Sequence, residues 1–158
     1  MLRGGKNMKI IKAELDDWDI WKDSVIFLHR EAIKSSFKNN MPEDSYFIEC
    51  LDKIRRYVEE DNATVFLCVE DASVVGMAWC HPIQRFKERR LHIASIAVMP
   101  QSRGSGIGKK LLKEIENYAR DNKYVGIDLL VTANNLNAVA LYENNGFKTE
   151  RVLMKKDL

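Results

Sequence analysis

The feature that most restricts the fold of this 158-residue chain is a strand, a glycine-bearing turn and a helix in direct succession over residues 91–112. The apolar run 91–98 predicts the strand, and in the turn that follows every second residue from Gly104 to Gly108 is glycine. Glycine removes the Cβ that would block a ligand from the backbone, and it adopts the positive φ that lets successive N–H groups converge. Because the next helix begins here with free N–H donors, the turn predicts a site for a phosphate-bearing ligand.

The spacing of the turn excludes two common phosphate-binding motifs. A P-loop requires Gly, four residues, Gly-Lys and then Ser or Thr, but Arg103 stands five positions before Gly108, and Lys110 follows Lys109. A dinucleotide fingerprint requires Gly-x-Gly-x-x-Gly, and the third glycine comes one residue too early here. A plain strand-to-helix turn with no ligand is the alternative interpretation.

A second motif lies near the C-terminus, where Asn, two residues, Ala, three residues and Tyr precede Gly-Phe. A helix over this segment places Asn135 and Tyr142 two turns apart on one face, so both can address one ligand. Each residue also has a structural alternative. Asn135 alone is an ordinary helix N-cap, and Tyr142 alone is a core aromatic residue.

Together the two motifs resemble those of the GNAT superfamily of N-acetyltransferases. The segment Gln101-Ser102-Arg103-Gly104-Ser105-Gly106, after a strand that ends in Val-x-Pro, is similar to the loop that binds the pyrophosphate of acetyl-coenzyme A. The segment 135–147 is similar to the other end of the family signature. The resemblance is close over residues 64–154, whereas residues 8–63 match in element order only.

The hydrophobic periods predict a single α/β (α+β) domain over residues 8–158, in the order β-α-α-β-β-β-α-β-α-β. This order matches the GNAT fold, which implies a mixed, mostly antiparallel sheet of six to seven strands with helices on both faces. The strands 91–98 and 124–131 flank the long helix and should lie parallel. The nearly unbroken apolar run 124–131 predicts a strand covered on both faces, and 147–154 predicts the last strand.

Two further segments are assigned from composition. Residues 84–90 are predicted to be a charged loop, either a solvated tip or a contributor to substrate binding. Residues 1–7 are polar and contain Gly4 and Gly5, and we interpret them as a disordered leader or as residues added for expression, with Met8 as the true start.

The resemblance implies transfer of acetyl from acetyl-coenzyme A directly to a primary amine. A bulge in the 91–98 strand would free backbone groups of Ile96 and Val98 for the cofactor. The full set that the resemblance assigns to the cofactor is Ile96, Val98, Gln101, Arg103, Gly104, Ser105, Gly106, Ile107, Gly108 and Asn135.

Two side chains are candidates for proton transfer. By resemblance Tyr142 would stand beside the thioester sulfur and protonate the departing thiolate. His92 occupies the position, six residues before Val98, where many relatives carry Glu, and its imidazole suits a base near neutral pH. The alternative for His92 is an ordinary strand residue.

Composition limits the other function classes. A formal net charge of +2 argues against nucleic acid as the main partner. The three cysteines are widely spaced without a Cys-x-x-Cys pair, which predicts reduced thiols in the cytoplasm. The three histidines lack metal-ligand spacing, so we expect no metal, and no apolar run approaches the ~18 residues of a membrane span.

The sequence carries no code for the amine acceptor. A polyamine, an antibiotic, an amino acid and a protein N-terminus or lysine all stay open, and homodimers are common among relatives. Two alternatives to an enzyme also stay open: a non-catalytic acyl-coenzyme A binding module, and an interaction protein whose glycine turn is only structural.

Overall fold

The structure, a computed structural model, describes residues 7–37 and 40–158. Apart from Asn7, the predicted leader therefore lies outside the described residues. The strands are β1 (Met8–Lys12), β2 (Thr64–Glu70), β3 (Ser73–Arg85), β4 (Glu88–Val98) and β5 (Gly126–Leu129). The helices are α1 (Trp18–Ser36), α2 (Asp44–Glu59), α3 (Ile107–Asp121) and α4 (Leu136–Asn144), with 3-10 turns at Leu15–Asp17 and Pro100–Ser102.

The strands form one five-stranded sheet in the order β1-β2-β3-β4-β5. The pairs from β1 to β4 are antiparallel, and β4 and β5 are parallel. The predicted α/β class, the mixed sheet and the parallel βαβ unit are therefore confirmed. A two-residue turn joins β2 and β3, and its residues Asp71 and Ala72 adopt the positive φ angles of 47° and 64° that tight hairpin turns require.

Successive side chains along each strand point to opposite faces of the sheet, and the apolar ones form two cores, one on each face. The helices α1 and α2 cover the face that carries Leu67 and Met77. The helix α3 covers the other face, where its buried stripe meets side chains such as Cys68 and Ala78. The stripe consists of Ile107, Leu111, Leu112, Ile115 and Ala119, as the 3.6-residue period predicts.

The prediction of a charged loop over residues 84–90 was wrong. Strands β3 and β4 continue through most of this segment, and Arg85 pairs with Glu88, so that only Phe86 and Lys87 form the turn. The charged side chains stand on the exposed end of a hairpin. A run of charged residues predicts exposure to solvent, and the end of a hairpin is as exposed as a loop.

The expected number of strands was too high. Residues 147–154 form no strand, and Val152, Leu153 and Met154 are exposed. A bidentate ion pair from Arg90 to Glu150 and the packing of Phe147 join this segment to the rest of the fold through side chains, without a backbone ladder. An apolar run becomes a strand only where a partner strand meets its N–H and C=O groups.

The strand β5 is correspondingly shorter and less covered than its composition predicted. It has four residues, lies last in the sheet and is half-buried throughout. Its run of apolar residues reads like a central strand, but burial depends on neighbours that the run itself does not specify.

Close packing around position 76 of β3 requires glycine, and this leads to a prediction about stability. A Cβ at Gly76 would lie 2.7 Å from Cγ2 of Ile107 and 3.3 Å from the carbonyl oxygen of Ala97. Gly76→Ala should therefore lower the free energy of unfolding by about 1–3 kcal/mol in chemical denaturation. The matched control is Gly126→Ala, because a Cβ there would meet Arg90 no closer than 3.9 Å. Equal stability of the two variants would contradict the packing argument.

Candidate active site

A β-bulge interrupts β4 at Ala94. Trp79 pairs with Ser95 while the next residue, Cys80, pairs with Ile93, so β4 has one residue more than β3 at this point. The bulge expected in the 91–98 strand is thus confirmed. Because side chains alternate, one extra residue turns the rest of the strand over. Ile93 packs in the α3-side core, whereas Ala97 packs in the core under α1 and α2.

The bulge also marks the point where β4 and β5 separate. Their parallel ladder runs from the pair Arg90–Gly126 to the pair Ile93–Leu129. Beyond Ile93, β4 continues to Val98 along β3 alone within the described residues. The edge of β4 that carries Ile96 and Val98 is therefore open to a ligand in place of a strand.

The glycine turn after β4 has the backbone of an anion cradle. Gly104 and Gly106 adopt φ angles of 77° and 82°, and a Cβ at either position would meet nothing within 4 Å. The helix α3 begins at Ile107, and its first backbone bond runs from the Lys110 N–H to the Gly106 carbonyl at 3.1 Å. The N–H groups of the first turn thus have no acceptor within the helix.

Gly108, the third glycine of the turn, is required by close packing and not by a positive φ angle. A Cβ at Gly108 would lie 3.0 Å from Cδ2 of Leu141, so this residue lets α3 approach α4 closely. Of the other turn residues, one makes a hydrogen bond within the turn and another is exposed to solvent. The Ser105 hydroxyl donates to the Ser102 carbonyl, and Gln101 is exposed.

The side chain of Arg103 connects the turn to the open edge of β4 and to α1. Its Nε donates to the Val98 carbonyl at 3.3 Å, and its Nη2 lies 3.3 Å from Oε2 of Glu31. Its backbone N–H already donates to the Pro100 carbonyl at 3.4 Å. The guanidinium therefore lies where the turn, the open edge and the first helix meet.

Tyr142 and Asn135 lie on the α4 side of this opening. Tyr142 is 7% exposed and packs edge-to-face on Phe147 with ring centroids 5.6 Å apart. Burial raises the pKa of Tyr142 to about 12, with a further contribution from Cys80. Asn135 caps α4, because its Oδ1 accepts the Ala138 N–H at 3.3 Å. Both structural alternatives are therefore present in the fold, and neither excludes a ligand contact.

His92 lies on the opposite, α1/α2 face of the sheet, in a row of polar side chains on three neighbouring strands. It pairs across the sheet with His81 and with Asp128. The His92 Nδ1 lies 2.5 Å from Oδ1 of Asp128, and the rings of His81 and His92 have centroids 5.2 Å apart. A groove of about 530 Å³ opens over both rings, and Ile83, Gln84, Arg85 and Leu130 complete its lining.

A buried histidine stands where the bulge meets α1. His29 Nδ1 lies 3.4 Å from the hydroxyl of Ser95, the residue directly after Ala94. Burial lowers the pKa of His29, so the ring is neutral at neutral pH. The bulge therefore turns a polar side chain toward α1 and gives His29 a partner there.

Two residues of the site were missed by sequence reasoning. Asp128 could have been suspected, because it is the single charged residue in the apolar run 124–131. Glu31 gives no such signal, since it is one of many charges on α1. Its contact with Arg103 joins residues that lie 72 positions apart in the chain.

Two other properties of the described residues bear on function. Over residues 7–37 and 40–158, no cluster of three or more His, Cys, Asp or Glu side chains is arranged to hold a metal ion. In the same ranges no helix has the length and apolar character needed to cross a bilayer.

Comparison with known proteins gives one family. The model of the acetyltransferase (GNAT) family matches residues 27–147. Human N-acetyltransferase 8 is 30% identical over 99 residues, which are 61% of this chain and 44% of that protein. The N-acetyltransferase YycN of Bacillus subtilis, described as uncharacterized, is 27% identical over 122 residues, 75% of this chain and 78% of that protein. The chain spans about half the length of the mammalian relatives it matches.

Solved structures share the fold. The tetramutant of the BH1408 protein from Bacillus halodurans has a TM-score of 0.80 at 20% identity, over 95% of this chain and 99% of that one. A predicted acetyltransferase from Clostridium acetobutylicum, solved with acetyl-CoA, has a TM-score of 0.75 at 19% identity over 94% and 96%. An aminoglycoside acetyltransferase from a soil metagenome, in complex with sisomicin, has a TM-score of 0.74 at 16% identity over 96% of both chains.

The buried phenol gives a pH prediction. The pKa of Tyr142 in the folded protein, about 12, exceeds the value near 10 of an exposed tyrosine. Its contribution to stability is therefore complete below about pH 10 and is lost as the pH rises toward 12. The phenolate absorbance of the wild type minus that of Tyr142→Phe should show this late titration. A difference that titrates at the ordinary tyrosine pKa would contradict the burial argument.

Proposed function

Because the chain belongs to the acetyltransferase (GNAT) family, we propose that it transfers acetyl from acetyl-coenzyme A directly to a primary amine of a small molecule or peptide. The observation that carries the proposal is the end of the β4–β5 ladder at the Ala94 bulge, directly before the glycine turn and the start of α3. An open strand edge beside an anion cradle suits a substrate that joins a diphosphate to an extended thioester arm.

The backbone of the turn and the first turn of α3 would bind the diphosphate. N–H groups from Gly104 to Gly108 supply donors, and the helix N-terminus supplies partial positive charge. The open edge at Ile96 and Val98 would take the arm by backbone hydrogen bonds, and the free amide hydrogens of Asn135 can add one more. Binding of the diphosphate would compete with Glu31 for the guanidinium of Arg103.

The reaction has a simple proton balance. The protonated amine first gives one proton to a base, and its freed electron pair then forms the C–N bond to the acetyl carbon. The C–S bond breaks with its electron pair on sulfur, the nitrogen loses a second proton, and the thiolate gains one. The net products are an amide, coenzyme A thiol and one proton.

The residues of this chain would supply the base, the donor to sulfur and the oxyanion stabilisation. His92 would take the first proton, since its ring faces the groove on the α1/α2 side. Tyr142 would donate to the sulfur. Its raised pKa keeps the hydroxyl protonated but makes it a weaker acid toward thiolate. A backbone N–H at the open edge of β4 would stabilise the oxyanion.

A thiol-release screen with acetyl-coenzyme A tests the proposal. The acceptor panel contains spermidine, an aminoglycoside, free amino acids, a peptide with a free N-terminus and an N-terminally blocked peptide with one lysine. We expect thiol release with one of these classes. Binding of acetyl-coenzyme A without release across the panel would instead favour the non-catalytic acyl-coenzyme A binding module.

The role of the glycine turn is tested with two matched variants. Gly106→Ala and Gly146→Ala impose similar strain, because φ is 82° at Gly106 and 86° at Gly146 and both sites are open. Each should lose about 1–2 kcal/mol of stability. Only Gly106→Ala puts a methyl group into the cradle, so its Kd for coenzyme A in calorimetry should rise about tenfold or more. Equal affinities would remove the turn from the binding site.

The role of His92 is tested by a pH profile. If His92 is the base, the pH profile of kcat/KM of the wild type has an acid limb that depends on this residue. His92→Ala should flatten that limb and lower kcat/KM by on the order of 10²-fold or more. His81→Ala, which removes the neighbouring imidazole, serves as the control and should keep the limb. An unchanged profile in His92→Ala would eliminate this residue as the base.

A further inference from the structure

The contact between His92 and Asp128 indicates which nitrogen of the imidazole carries the proton. An ionised carboxylate only accepts hydrogen bonds, so the Nδ1 that lies 2.5 Å from Oδ1 of Asp128 must carry a proton. In the neutral ring the lone pair then resides on Nε2. Nε2 is the nitrogen that a base at this position needs free.

The carboxylate of Asp128 is itself held on both sides. Its Oδ1 faces His92, and its Oδ2 lies 3.4 Å from Nε of Arg85 and 3.8 Å from Nη1 of Arg90. The side chains of Asp128 and His92 are only 15% and 16% exposed, so water competes little for this contact. Two rigid strand positions thus fix the pair, since Asp128 and His92 are direct partners in the β4–β5 ladder.

The other polar groups near the pair are one imidazole and three cations, and a cation offers no acceptor to Nδ1. His81 and Arg85 approach from β3, Arg90 stands on the same strand, and Lys53 of α2 acts on His81 from the helix layer. The His81 Nδ1 lies 3.3 Å from the carbonyl oxygen of Pro82, which accepts a hydrogen bond from it. Burial is the main cause that lowers the pKa of His81, so this ring is neutral beside His92 at neutral pH.

We propose that Asp128 is the positioning residue for His92: it accepts the Nδ1 proton, aims Nε2 into the groove and stabilises the imidazolium that forms when Nε2 takes a proton from the amine. This role rests on the proposed function, in which His92 is the base. In the step itself an N–H bond of the ammonium breaks and an N–H bond forms at Nε2. The Nδ1 proton stays on His92, and Asp128 stays ionised.

Nitrogen-15 NMR of histidine-labelled protein tests the contact without any acceptor. In the neutral ring of the wild type we expect the His92 proton on Nδ1 and a free Nε2. In Asp128→Asn the amide can donate to Nδ1, and the proton should move to Nε2. Asp121→Asn, at the exposed end of α3, is the control and should leave the signals unchanged. A wild-type proton on Nε2 overturns the proposal, even if the Asp128→Asn variant fails to fold.

Kinetics then separate positioning from a merely structural role. With the best amine of the thiol-release screen, Asp128→Asn should lower kcat by on the order of a hundredfold and leave the Kd for coenzyme A unchanged. An unchanged kcat with the tautomer switched overturns the proposal while leaving acetyl transfer intact. If no amine releases thiol, the proposed function fails, and the wild-type NMR signal still decides whether Asp128 fixes His92.

Discussion

The extra residue at Ala94 is the constraint on which the geometry of the site depends. A strand paired on both edges offers no backbone group to a ligand, and a regular β4 would stay paired with β5 for as long as both strands extend. One inserted residue changes the pleat, and the β4–β5 ladder ends at Ile93 and Leu129, directly before this residue. The same insertion turns Ser95 toward His29 on α1. The opening between β4 and β5 and the contact between Ser95 and His29 therefore share one cause.

The candidate functional residues lie on both faces of the sheet, in two separate groups. On the α3 side, Tyr142 packs near the bulge and the glycine turn leads into the helix N-terminus. On the α1/α2 side, the row from His81 through His92 to Asp128 lines a groove. A thioester in the opening between β4 and β5 would be reached from both faces. Arg103 links the two halves, because it contacts both the Val98 carbonyl and Glu31 of α1.

Sequence reasoning reached those parts of the fold that local patterns encode. The helix after the glycine turn was predicted, and the buried stripe of α3 follows the 3.6-residue period of its apolar residues. The length of the β3–β4 hairpin was not predicted, because charges at a strand end look like charges in a loop. The last strand was expected over 147–154 from apolar content, but strand formation depends on a partner edge that no local pattern specifies.

The site shows the same division. Gly104 and Gly106 could be identified from sequence because a positive φ favours glycine. The reason for Gly108 could not, since it depends on Leu141 of another helix. His92 was a candidate by its position in the motif, whereas the contact that orients it comes from Asp128, which is 36 positions away. Such contacts depend on which residues are paired across the sheet, and a single sequence shows the residues but not their pairing.

In the proposed function, the edge of β4 beyond Ala94 binds a thioester arm while the glycine turn binds its diphosphate. A crystal structure of the protein with acetyl-coenzyme A is the decisive test of this arrangement. We expect the diphosphate on the N–H groups between Gly104 and Gly108, and the arm hydrogen-bonded to the backbone of Ile96 and Val98. A cofactor bound elsewhere, or a closed β4–β5 edge packed with side chains, would contradict it.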